Sequence, residues 1–349
     1  MNPCMRELEV DGQVVFFDSA ENMHQIESGT ITLVITSPPY WNVRDYGDAE
    51  QIGFNQSYDE YIASMNRVWE ECIRVLRPNG KIAVNVQPLP ISSKISRFGR
   101  RFIQNIMHDI EKFMRNHDMF MSGMHYWDKA PYINNVSWGS YPKPTNIASN
   151  TSFEQIFVWV KEGKTRKIPK EIMEQNLLGK QEWRHWAVRC IWDDIAPVIK
   201  INTKGENLFG HSAPFPEDIP YRMIRMHTVK GEKVLDPFLG SGTTLKVCRL
   251  TGRKGIGYEI NEEYRDKIRE RIKETWDPPF IDDGYLTIGY RTINKIIRAS
   301  VEEIMNEGVV EVDPGSIISK VHKLLEKKGI ISPALRRKLK SLLQEEENA

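Results

Sequence analysis

The residues best suited to chemistry begin with a glycine loop, Gly240 and Gly242, which follows an apolar, β-prone stretch ending at Asp236. Glycine permits backbone angles and close approaches that a side chain would block. The threonines after the loop predict a helix over residues 244–250. A strand, a tight glycine turn and a helix N-terminus together form a natural site for a nucleotide-like ligand. Ordinary turns between a strand and a helix also look like this, so the loop alone does not identify the ligand.

Neighbouring residues narrow the choice of ligand. The loop contains no Gly-Lys-Thr or Gly-Lys-Ser, which disfavours a nucleotide triphosphatase P-loop. Leu245 stands where a dinucleotide fingerprint would have its third glycine, which argues against NAD. Glu259 ends a second predicted strand about twenty residues past the first, the spacing at which an acid meets ribose hydroxyls. A solvated glutamate at a strand end is the alternative, but the spacing and the context favour ribose binding.

A second distinctive loop, Ser37-Pro38-Pro39-Tyr40, follows a β-branched run over residues 31–35. That run predicts a buried parallel strand. The two prolines fix φ and remove two N–H donors, so the backbone carbonyls of this loop must be aimed at something specific.

The segments 36–41 and 234–244 together resemble the two signature motifs of the DNA amino-methyltransferases. The resemblance implies an enzyme that moves a methyl group from S-adenosyl-L-methionine to an exocyclic amine of cytosine or adenine. The catalytic loop precedes the cofactor loop in this chain, which is the permuted order of the beta class. The resemblance covers most of residues 12 to 275.

The resemblance also implies a role for each residue of the proline loop. An exocyclic amine is a poor nucleophile because its lone pair is conjugated into the ring, and accepting hydrogen bonds from both amine protons frees that lone pair. The Ser37 hydroxyl and the Pro38 carbonyl are the expected acceptors, with Pro39 as part of the same catalytic loop. Tyr40 is expected to stack on the flipped base, an interaction worth roughly 1–3 kcal/mol. Serine before Pro-Pro-Tyr resembles the N4-cytosine enzymes, and N6-adenine stays open as the alternative.

The cofactor is expected to lie between the glycine loop and acids at the ends of neighbouring strands. In the family an acid lies near the cofactor adenine, which points to Asp18, and the segment around Phe215 resembles the one that packs on the methionine end. A Gly242→Val substitution is expected to block binding by filling space that the backbone needs. The predicted cofactor-binding residues are Asp18, Phe215, Asp236, Phe238, Gly240, Ser241, Gly242, Thr243 and Glu259.

The composition suits a globular enzyme that has no strong overall electrostatic field. Hydrophobic residues make up 40% of the chain and the formal net charge is +1, so DNA must be met by local basic patches. Charge runs are also common on ordinary solvated faces. The candidate DNA-binding residues are Arg97, Arg100 and Arg101 in one run, and Lys164, Arg166 and Lys167 in another. Four scattered cysteines disfavour a zinc site or a disulfide framework and suit a reducing cytoplasm, with attachment to the nucleoid through DNA.

The predicted fold is α/β, a doubly wound, mostly parallel sheet of the Rossmann-like methyltransferase type in permuted order. Residues 1–161 and 211–276 are predicted to form the catalytic domain, with a target-recognition region at 162–210 to which the loop 88–150 contributes. Residues 277–349 are predicted to form a helical C-terminal extension. Within this frame we expect helices over 58–76 and 102–114, and strands over 81–86 and 153–161. No apolar run approaches the length of a membrane span, and there is no apolar signal core.

The sequence therefore predicts a site-specific DNA methyltransferase that acts on cytosine N4 in double-stranded DNA after base flipping. The resemblance implies a restriction–modification role, with a cognate restriction endonuclease acting on the same site. The alternatives are the same chemistry on adenine N6 or on RNA, and a sequence-specific DNA-binding protein that has lost catalysis. The sequence leaves the recognition site and the oligomeric state open.

Overall fold

The computed structural model describes residues 6–41, 51–94, 96–131, 138–139, 143–144, 147–149, 151–198 and 216–278. The strands are β1 (Glu7–Val10), β2 (Gln13–Phe16), β3 (Ile31–Thr36), β4 (Leu76–Val86), β5 (Leu89–Ile91), β6 (Phe102–Gln104), β7 (Met119–Asp128), β8 (Trp138–Gly139), β9 (Ile147–Ala148), β10 (Phe153–Lys161), β11 (Ile191–Trp192), β12 (Lys233–Asp236) and β13 (Lys254–Tyr258). The helices are α1 (Tyr58–Val75), α2 (Ile106–Arg115), α3 (Lys170–Glu174), α4 (Lys180–Glu182), a π-helical turn (Trp183–Val188), α5 (Asp218–His227), α6 (Thr243–Thr251), a 3-10 turn (Glu262–Tyr264) and α7 (Arg265–Lys273).

The chain divides into two compact units. One comprises Met1–Leu178 with Arg189–Pro278, and the other comprises Gly179–Val188 with Pro279–Ala349. In the described part of the second unit, the Glu182 carboxylate accepts a hydrogen bond from the Gly179 N–H at 2.7 Å, which caps α4. Everything else described below lies in the first unit.

A nine-stranded sheet in the order β1-β2-β13-β12-β3-β4-β10-β7-β11 forms the centre of the first unit. The strands from β2 through β13, β12 and β3 to β4 are parallel, whereas β10 is antiparallel to both β4 and β7. From β12 the chain continues through α6 to β13 on one side, and from β3 it continues through α1 to β4 on the other. The strand order therefore reverses between β12 and β3, which confirms the predicted doubly wound α/β fold.

Burial follows the residue types of the central elements. All six residues of β3 are buried, as expected for a strand covered on both faces. Helix α1 begins with a capping box, in which the Glu60 carboxylate accepts from the Ser57 N–H at 2.7 Å. Its buried face includes Tyr61 and Trp69, which pack in the same apolar cluster as Val34 of β3. The helix predicted over 58–76 is confirmed.

The helix predicted over 102–114 begins later than the sequence indicated. Residues Phe102–Gln104 form β6, which pairs antiparallel with β5, and α2 begins only at Ile106. Apolar residues near the start of this stretch fit either structure, and the distant pairing with Leu89–Ile91 selects the strand. The result is a two-stranded hairpin, here called the basic hairpin (residues 89–94 and 96–104), which begins three residues after the end of β4.

Two opposite edges of the sheet matter for function. The carboxyl edge is where the parallel strands β2, β13, β12, β3 and β4 end, and the amino edge is where they begin. Strand β10 runs the other way, so its last residues lie level with the start of β4, with Val160 opposite Lys81. The segment after β10 therefore leaves from the amino edge, where the Asn176 side chain bonds to Lys230 and Arg253.

The target-recognition region predicted at 162–210 is divided between the two edges of the sheet. Its first part, 162–178, lies at the amino edge, whereas β11 returns beside the end of β7, with Trp192 opposite Trp127. The segments 199–215 and 279–349 lie outside the described residues, so the predicted helical C-terminal extension stays a prediction. Among the residues that the structure does describe, no helix has the length and apolar character needed to cross a membrane.

Candidate active site

A cleft opens at the carboxyl edge, above the ends of β2, β13, β12 and β3. Its empty space is about 800 Å³, including open solvent at its mouth, and cofactor pockets commonly measure about 300–1,000 Å³. Its position at the reversal of strand order is where open α/β sheets bind their ligands. The lining residues are Asp18, Ser19, Ala20, Ser37, Pro38, Pro39, Tyr40, Gln51, Ile52, Pro237, Phe238, Gly240, Tyr258, Glu259, Ile260 and Tyr264.

The proline loop forms one wall of this cleft, directly after β3. The Pro39 carbonyl accepts a hydrogen bond from the Tyr61 hydroxyl at 2.9 Å, which ties the loop to α1. Within the described ranges, the Ser37 hydroxyl and the Pro38 carbonyl have no hydrogen-bond partner, and both residues line the cleft. The anchoring of Pro39 thus leaves the two expected acceptors available to a ligand.

Tyr40 is fixed by a buried carboxylate that the sequence analysis did not identify. Its hydroxyl donates to Glu154 Oε2 at 3.4 Å, and Asn85 donates to the same oxygen at 2.6 Å. The Lys129 ammonium lies 2.8 Å from Glu154 Oε1, so the carboxylate is neutralised where it is buried. Glu154, Asn85 and Lys129 lie far apart in the sequence and meet only because β10 lies between β4 and β7. This network holds the Tyr40 ring against the cleft.

The two glycines of the glycine loop have different structural roles. Gly240 lines the cleft at a φ of +56°, and its N–H donates to Glu259 Oε2 at 2.8 Å. Gly242 begins α6 at a φ of +95° and does not line the cleft. A Cβ added at Gly242 would meet Ile268 at 3.4 Å. The expected damage in Gly242→Val therefore comes from backbone strain in the left-handed region, and the ligand space lies beside Gly240.

Asp236, predicted to bind the cofactor, is instead buried beneath the glycine loop. Its carboxylate accepts from the Thr36 hydroxyl at 2.8 Å, from the Thr244 hydroxyl at 2.6 Å and from the Phe238 N–H at 3.1 Å. These bonds join the end of β12 to the end of β3 and to α6, and burial raises the pKa of Asp236 to about 6. These contacts favour a supporting role for Asp236 beneath the glycine loop, and its predicted contact with the cofactor stays a prediction.

Ser241 and Thr243, also predicted to bind the cofactor, are buried and do not line the cleft. Ser241 belongs to the turn before α6 and Thr243 is the first residue of that helix, so both support the loop, and their predicted contacts with the cofactor stay predictions. Phe215 lies outside the described residues, and its predicted contact with the methionine end of the cofactor stays a prediction.

We expect Asp236→Ala to lower the free energy of unfolding by about 2 kcal/mol or more. The substitution leaves two buried hydroxyls and one N–H without their acceptor, and an unsatisfied buried group costs about 1–3 kcal/mol. Urea unfolding measures the change, and Asp266→Ala on α7 is the control because the side chain of Asp266 is 82% exposed. Equal losses in the two variants would contradict the role assigned to Asp236.

Glu259 combines burial with unused hydrogen-bonding capacity. Its carboxylate accepts from the N–H groups of Gly240 and Asn261 at 2.8 and 2.9 Å. Burial raises the pKa of Glu259 to about 7, although these two bonds act in the opposite direction. A carboxylate has about four acceptor positions, so two remain for ligand hydroxyls. A ribose, whose adjacent hydroxyls can both donate, matches this arrangement.

A second carboxylate lines the same wall of the cleft. Asp18 follows β2 and accepts from the Ser19 N–H at 2.9 Å, while the Tyr258 hydroxyl donates to the Gln25 side chain at 2.7 Å. Phe238 and Tyr258 add aromatic surface to this wall. Carboxylates for the hydroxyls and the amine, together with aromatic surface for the ring, fit an adenosyl group.

Sequence reasoning missed about half of the cleft lining. Several missed residues lie one or two positions from predicted ones, namely Ser19, Ala20, Pro237, Tyr258 and Ile260. Extending each motif by one or two positions in both directions would have found them. Gln51, Ile52 and Tyr264 come from separate segments, and nothing in their local sequence indicates the cleft.

The two candidate DNA-binding runs lie at opposite edges of the sheet. Arg166 pairs with Glu232 at 2.6 Å just before β12, which places it at the amino edge and away from the cleft. Lys164 and Lys167 belong to the same segment, so the geometry argues against a phosphate contact by this run beside the target base. Arg97, Arg100 and Arg101 are exposed in the turn of the basic hairpin, which leaves from the carboxyl edge.

Comparison with known proteins agrees with the architecture of this cleft. Residues 31–270 match a family model described as DNA methylase. The type II methyltransferase M.MjaI of Methanocaldococcus jannaschii is 31% identical over 284 residues, covering 74% of this chain and 90% of the relative. A putative DNA modification methylase of Thermus thermophilus, solved in complex with S-adenosyl-L-methionine, has 28% identity and a TM-score of 0.57, covering 74% of this chain and 93% of that one. The chain therefore belongs to the DNA methylase family.

Proposed function

We propose that this DNA methyltransferase transfers a methyl group from S-adenosyl-L-methionine to the N4 amine of cytosine in duplex DNA, after flipping the base out of the stack. The observation that carries the proposal is the meeting of two loops in one cleft. Ser37 and Pro38 offer acceptors in one part of the lining, while Gly240 and Glu259 form a second, nucleoside-binding part of the same cleft. Substrate amine and methyl donor can thus be held side by side.

The cofactor wall acts by binding and orientation. S-adenosyl-L-methionine, when bound, supplies an electrophilic methyl group. Glu259 accepts the ribose hydroxyls, and its bond to the Gly240 N–H keeps the glycine loop in the shape that the ligand needs. Asp18 lies at the end of the neighbouring strand, where it suits the adenine amine. Fixing the donor in this way removes rotational freedom before the reaction, which is a large part of enzymatic rate enhancement.

The catalytic wall acts on the amine. The Ser37 hydroxyl and the Pro38 carbonyl accept hydrogen bonds from the two amine N–H groups, which draws the nitrogen lone pair out of conjugation with the ring. Both acceptors are fixed in advance, because the Tyr61 hydroxyl holds the loop through the Pro39 carbonyl. Preorganised acceptors need no rearrangement as charge develops on the nitrogen. Tyr40, held by Glu154, supplies an aromatic surface for the base.

Cytosine is the proposed base because the first residue of the catalytic loop is a serine. The resemblance associates Ser-Pro-Pro-Tyr with cytosine N4 and Asp-Pro-Pro-Tyr with adenine N6. Ser37 offers a neutral hydroxyl where an aspartate would place a charge. Adenine N6 is the alternative, and the measurement below separates the two bases.

Duplex DNA is the proposed partner, and it must approach the carboxyl edge. Base flipping costs a few kcal/mol, which contacts to the flanking duplex must offset. The basic hairpin leaves that edge after β4, and β7 ends at the same edge, so both lead into the loop 88–150 that the resemblance associates with target recognition. We place target recognition there, together with the part of 162–210 that follows β11. Relatives described as type II methyltransferases support a role in restriction–modification, with a restriction endonuclease acting on the same site.

Plasmid DNA from cells that express the chain should contain N4-methylcytosine. The measurement is digestion to nucleosides followed by mass spectrometry, in a host without its own DNA methyltransferases. A strain that expresses Ser37→Ala is the matched control, since it retains the cofactor wall and loses one amine acceptor. Detection of N6-methyladenine instead would identify adenine as the target base. If neither N4-methylcytosine nor N6-methyladenine is detected, the result would favour the alternative of a catalytically inactive DNA-binding protein.

A further inference from the structure

We propose that the basic hairpin inserts Phe98 into the base stack beside the target base, while Arg97 and Arg100 contact the flanking phosphates. The inference rests on the proposed function, because it names how the duplex is held while a base occupies the cleft. Four features of the hairpin support it: exposure of the ring, the geometry of the turn, the local charge and the position at the carboxyl edge.

The ring of Phe98 is presented to solvent at the tip of the hairpin. It is 58% exposed. It packs edge-on against Phe102 with 5.4 Å between the ring centroids, and the Arg97 guanidinium lies 4.8 Å from its centroid. The ring therefore has a defined setting while part of its surface stays open for a further stacking partner.

The turn that carries the ring is held by local hydrogen bonds. The Phe98 N–H donates to the Ser96 hydroxyl at 3.1 Å, and the Gly99 N–H donates to the Ser96 carbonyl at 3.0 Å. Gly99 adopts a φ of +61°, which closes the turn in a conformation that favours glycine. A Cβ added at Gly99 would meet nothing within 4 Å, and residues 97–101 are all exposed, so the turn has open space on that side.

The charged side chains that lie near Phe98 in the sequence are all positive. From residue 87 to residue 108 the sequence contains Lys94, Arg97, Arg100 and Arg101 and no acidic residue. The four basic side chains are exposed. In the described part of the chain, no ion pair involves Lys94, Arg97 or Arg100. Because the whole chain carries a net charge of only +1, this concentration is local and suits a phosphate backbone.

The hairpin leaves the sheet next to the catalytic loop. Strands β3 and β4 are adjacent and parallel, with Thr36 level with Val84. Ser37 follows the first strand directly, and Leu89 begins the hairpin three residues after Val86. A duplex that delivers a base to Ser37 therefore runs past the hairpin. An apolar wedge flanked by basic residues is a common way to separate stacked bases, and stacking on the ring offsets the lost base stacking.

The test compares Phe98→Ala with the parent enzyme on two DNA substrates. The methylated site is first mapped by sequencing modified plasmid DNA and is then placed in a duplex oligonucleotide. One substrate is fully paired, and the other has an abasic nucleotide opposite the target base, which is then already loosened. We expect Phe98→Ala to slow single-turnover methylation of the paired duplex by about tenfold, because stacking on the ring is lost, with little change on the abasic duplex. Phe98→Trp should restore the rate on the paired duplex.

Two control variants lie at the amino edge. Phe120 is 54% exposed at the start of β7, so Phe120→Ala removes an exposed ring far from the cleft and should leave both rates unchanged. A separate measurement tests the phosphate contacts. The double variant Arg97→Ala with Arg100→Ala should reduce the magnitude of the slope of log affinity against log salt concentration by about two. The double variant Lys164→Ala with Lys167→Ala should leave that slope unchanged.

Each result has a distinct meaning. Equal slowing of Phe98→Ala on both duplexes, or no slowing on either, would overturn the insertion. Pyrrolo-deoxycytidine at the target position still pairs with guanine and reports base unstacking without methyl transfer, so a fluorescence increase that persists in Phe98→Ala would also overturn it. If the mapped methylated base is adenine, the proposed cytosine specificity fails, while the insertion is still judged by the fluorescence of 2-aminopurine at that position opposite thymine.

Discussion

Ser37→Ala should reduce the methyl-transfer rate by about a hundredfold while S-adenosyl-L-methionine binds as before. The substitution removes one of the two acceptors for the amine protons, and losing one preorganised hydrogen bond to a developing charge commonly costs about 10²–10³ in rate. Ser37 lies on the catalytic wall and makes none of the contacts that hold the glycine loop. Single-turnover methylation and calorimetry with S-adenosyl-L-methionine measure the two properties separately.

The matched control for this variant is Ser122→Ala in β7. Ser122 is an exposed serine whose hydroxyl donates a long hydrogen bond to the Val158 carbonyl at 3.4 Å, away from the cleft lining. It should retain both rate and affinity. Loss of cofactor binding in Ser37→Ala would show that the proline loop belongs to the cofactor wall, and a normal rate would remove Ser37 from the reaction.

Glu259→Gln should weaken S-adenosyl-L-methionine binding by about 10- to 100-fold. Hydrogen bonds to a charged group are each worth about 1.5–3 kcal/mol, and glutamine offers only one oxygen where the carboxylate offers two. The variant also weakens the bond that the Gly240 N–H donates, so the glycine loop loses an anchor. Calorimetry measures the affinity. Glu263→Gln is the control, because Glu263 is an exposed acid just beyond the same strand.

The pH dependence gives Glu259 a second signature. Burial raises its pKa to about 7, so the ionised form that accepts two ribose hydroxyls becomes dominant only above that pH. Affinity for the cofactor should therefore rise with pH through about 7 and then level off, and in Glu259→Gln this rise should vanish. The linked effect on folding has the opposite sign: between 4.5 and about 7 the folded protein holds this proton more tightly than the unfolded chain, so the contribution of Glu259 to stability falls as pH rises. A rise in affinity that persists in Glu259→Gln would assign it to another group.

Local sequence determined the elements and motifs that depend on neighbouring residues. The β-branched run before Ser37 became the buried strand β3, and the spacing of apolar residues gave α1 within one residue of its true end. The glycine loop and Glu259 were found as a pair because a strand, a turn and an acid at the next strand end follow one another in a fixed order in parallel α/β folds. Both halves of the cleft were identified this way, since each consists of a strand end and the residues directly after it.

Tertiary structure decided which of two similar residues faces the ligand. Asp236 and Glu259 are both acids at or just after the ends of parallel strands, yet Asp236 is buried by Thr36 and Thr244 while Glu259 lines the cleft. The same holds for the basic runs. Arg166 is fixed to Glu232 at the amino edge, and Arg97 is exposed at the carboxyl edge. Residue type and spacing are alike within each pair, so the sequence alone gave no basis for separating them.

The physical reason is that side-chain environment depends on long-range pairing, whereas motif residues depend on short-range geometry. Strand β10 runs antiparallel to β4. The basic hairpin, which follows β4, therefore leaves from the carboxyl edge, whereas residues 162–178, which follow β10, leave from the amino edge. Tyr40 and Glu154 lie more than a hundred positions apart and meet only because β4, β10 and β7 pair in register. The hairpin that carries Phe98 likewise exists because residues 102–104 pair with residues 89–91 and do not extend α2. Sequence determined the chemistry this chain can perform, and the pairing of distant strands decided which residues are placed to perform it.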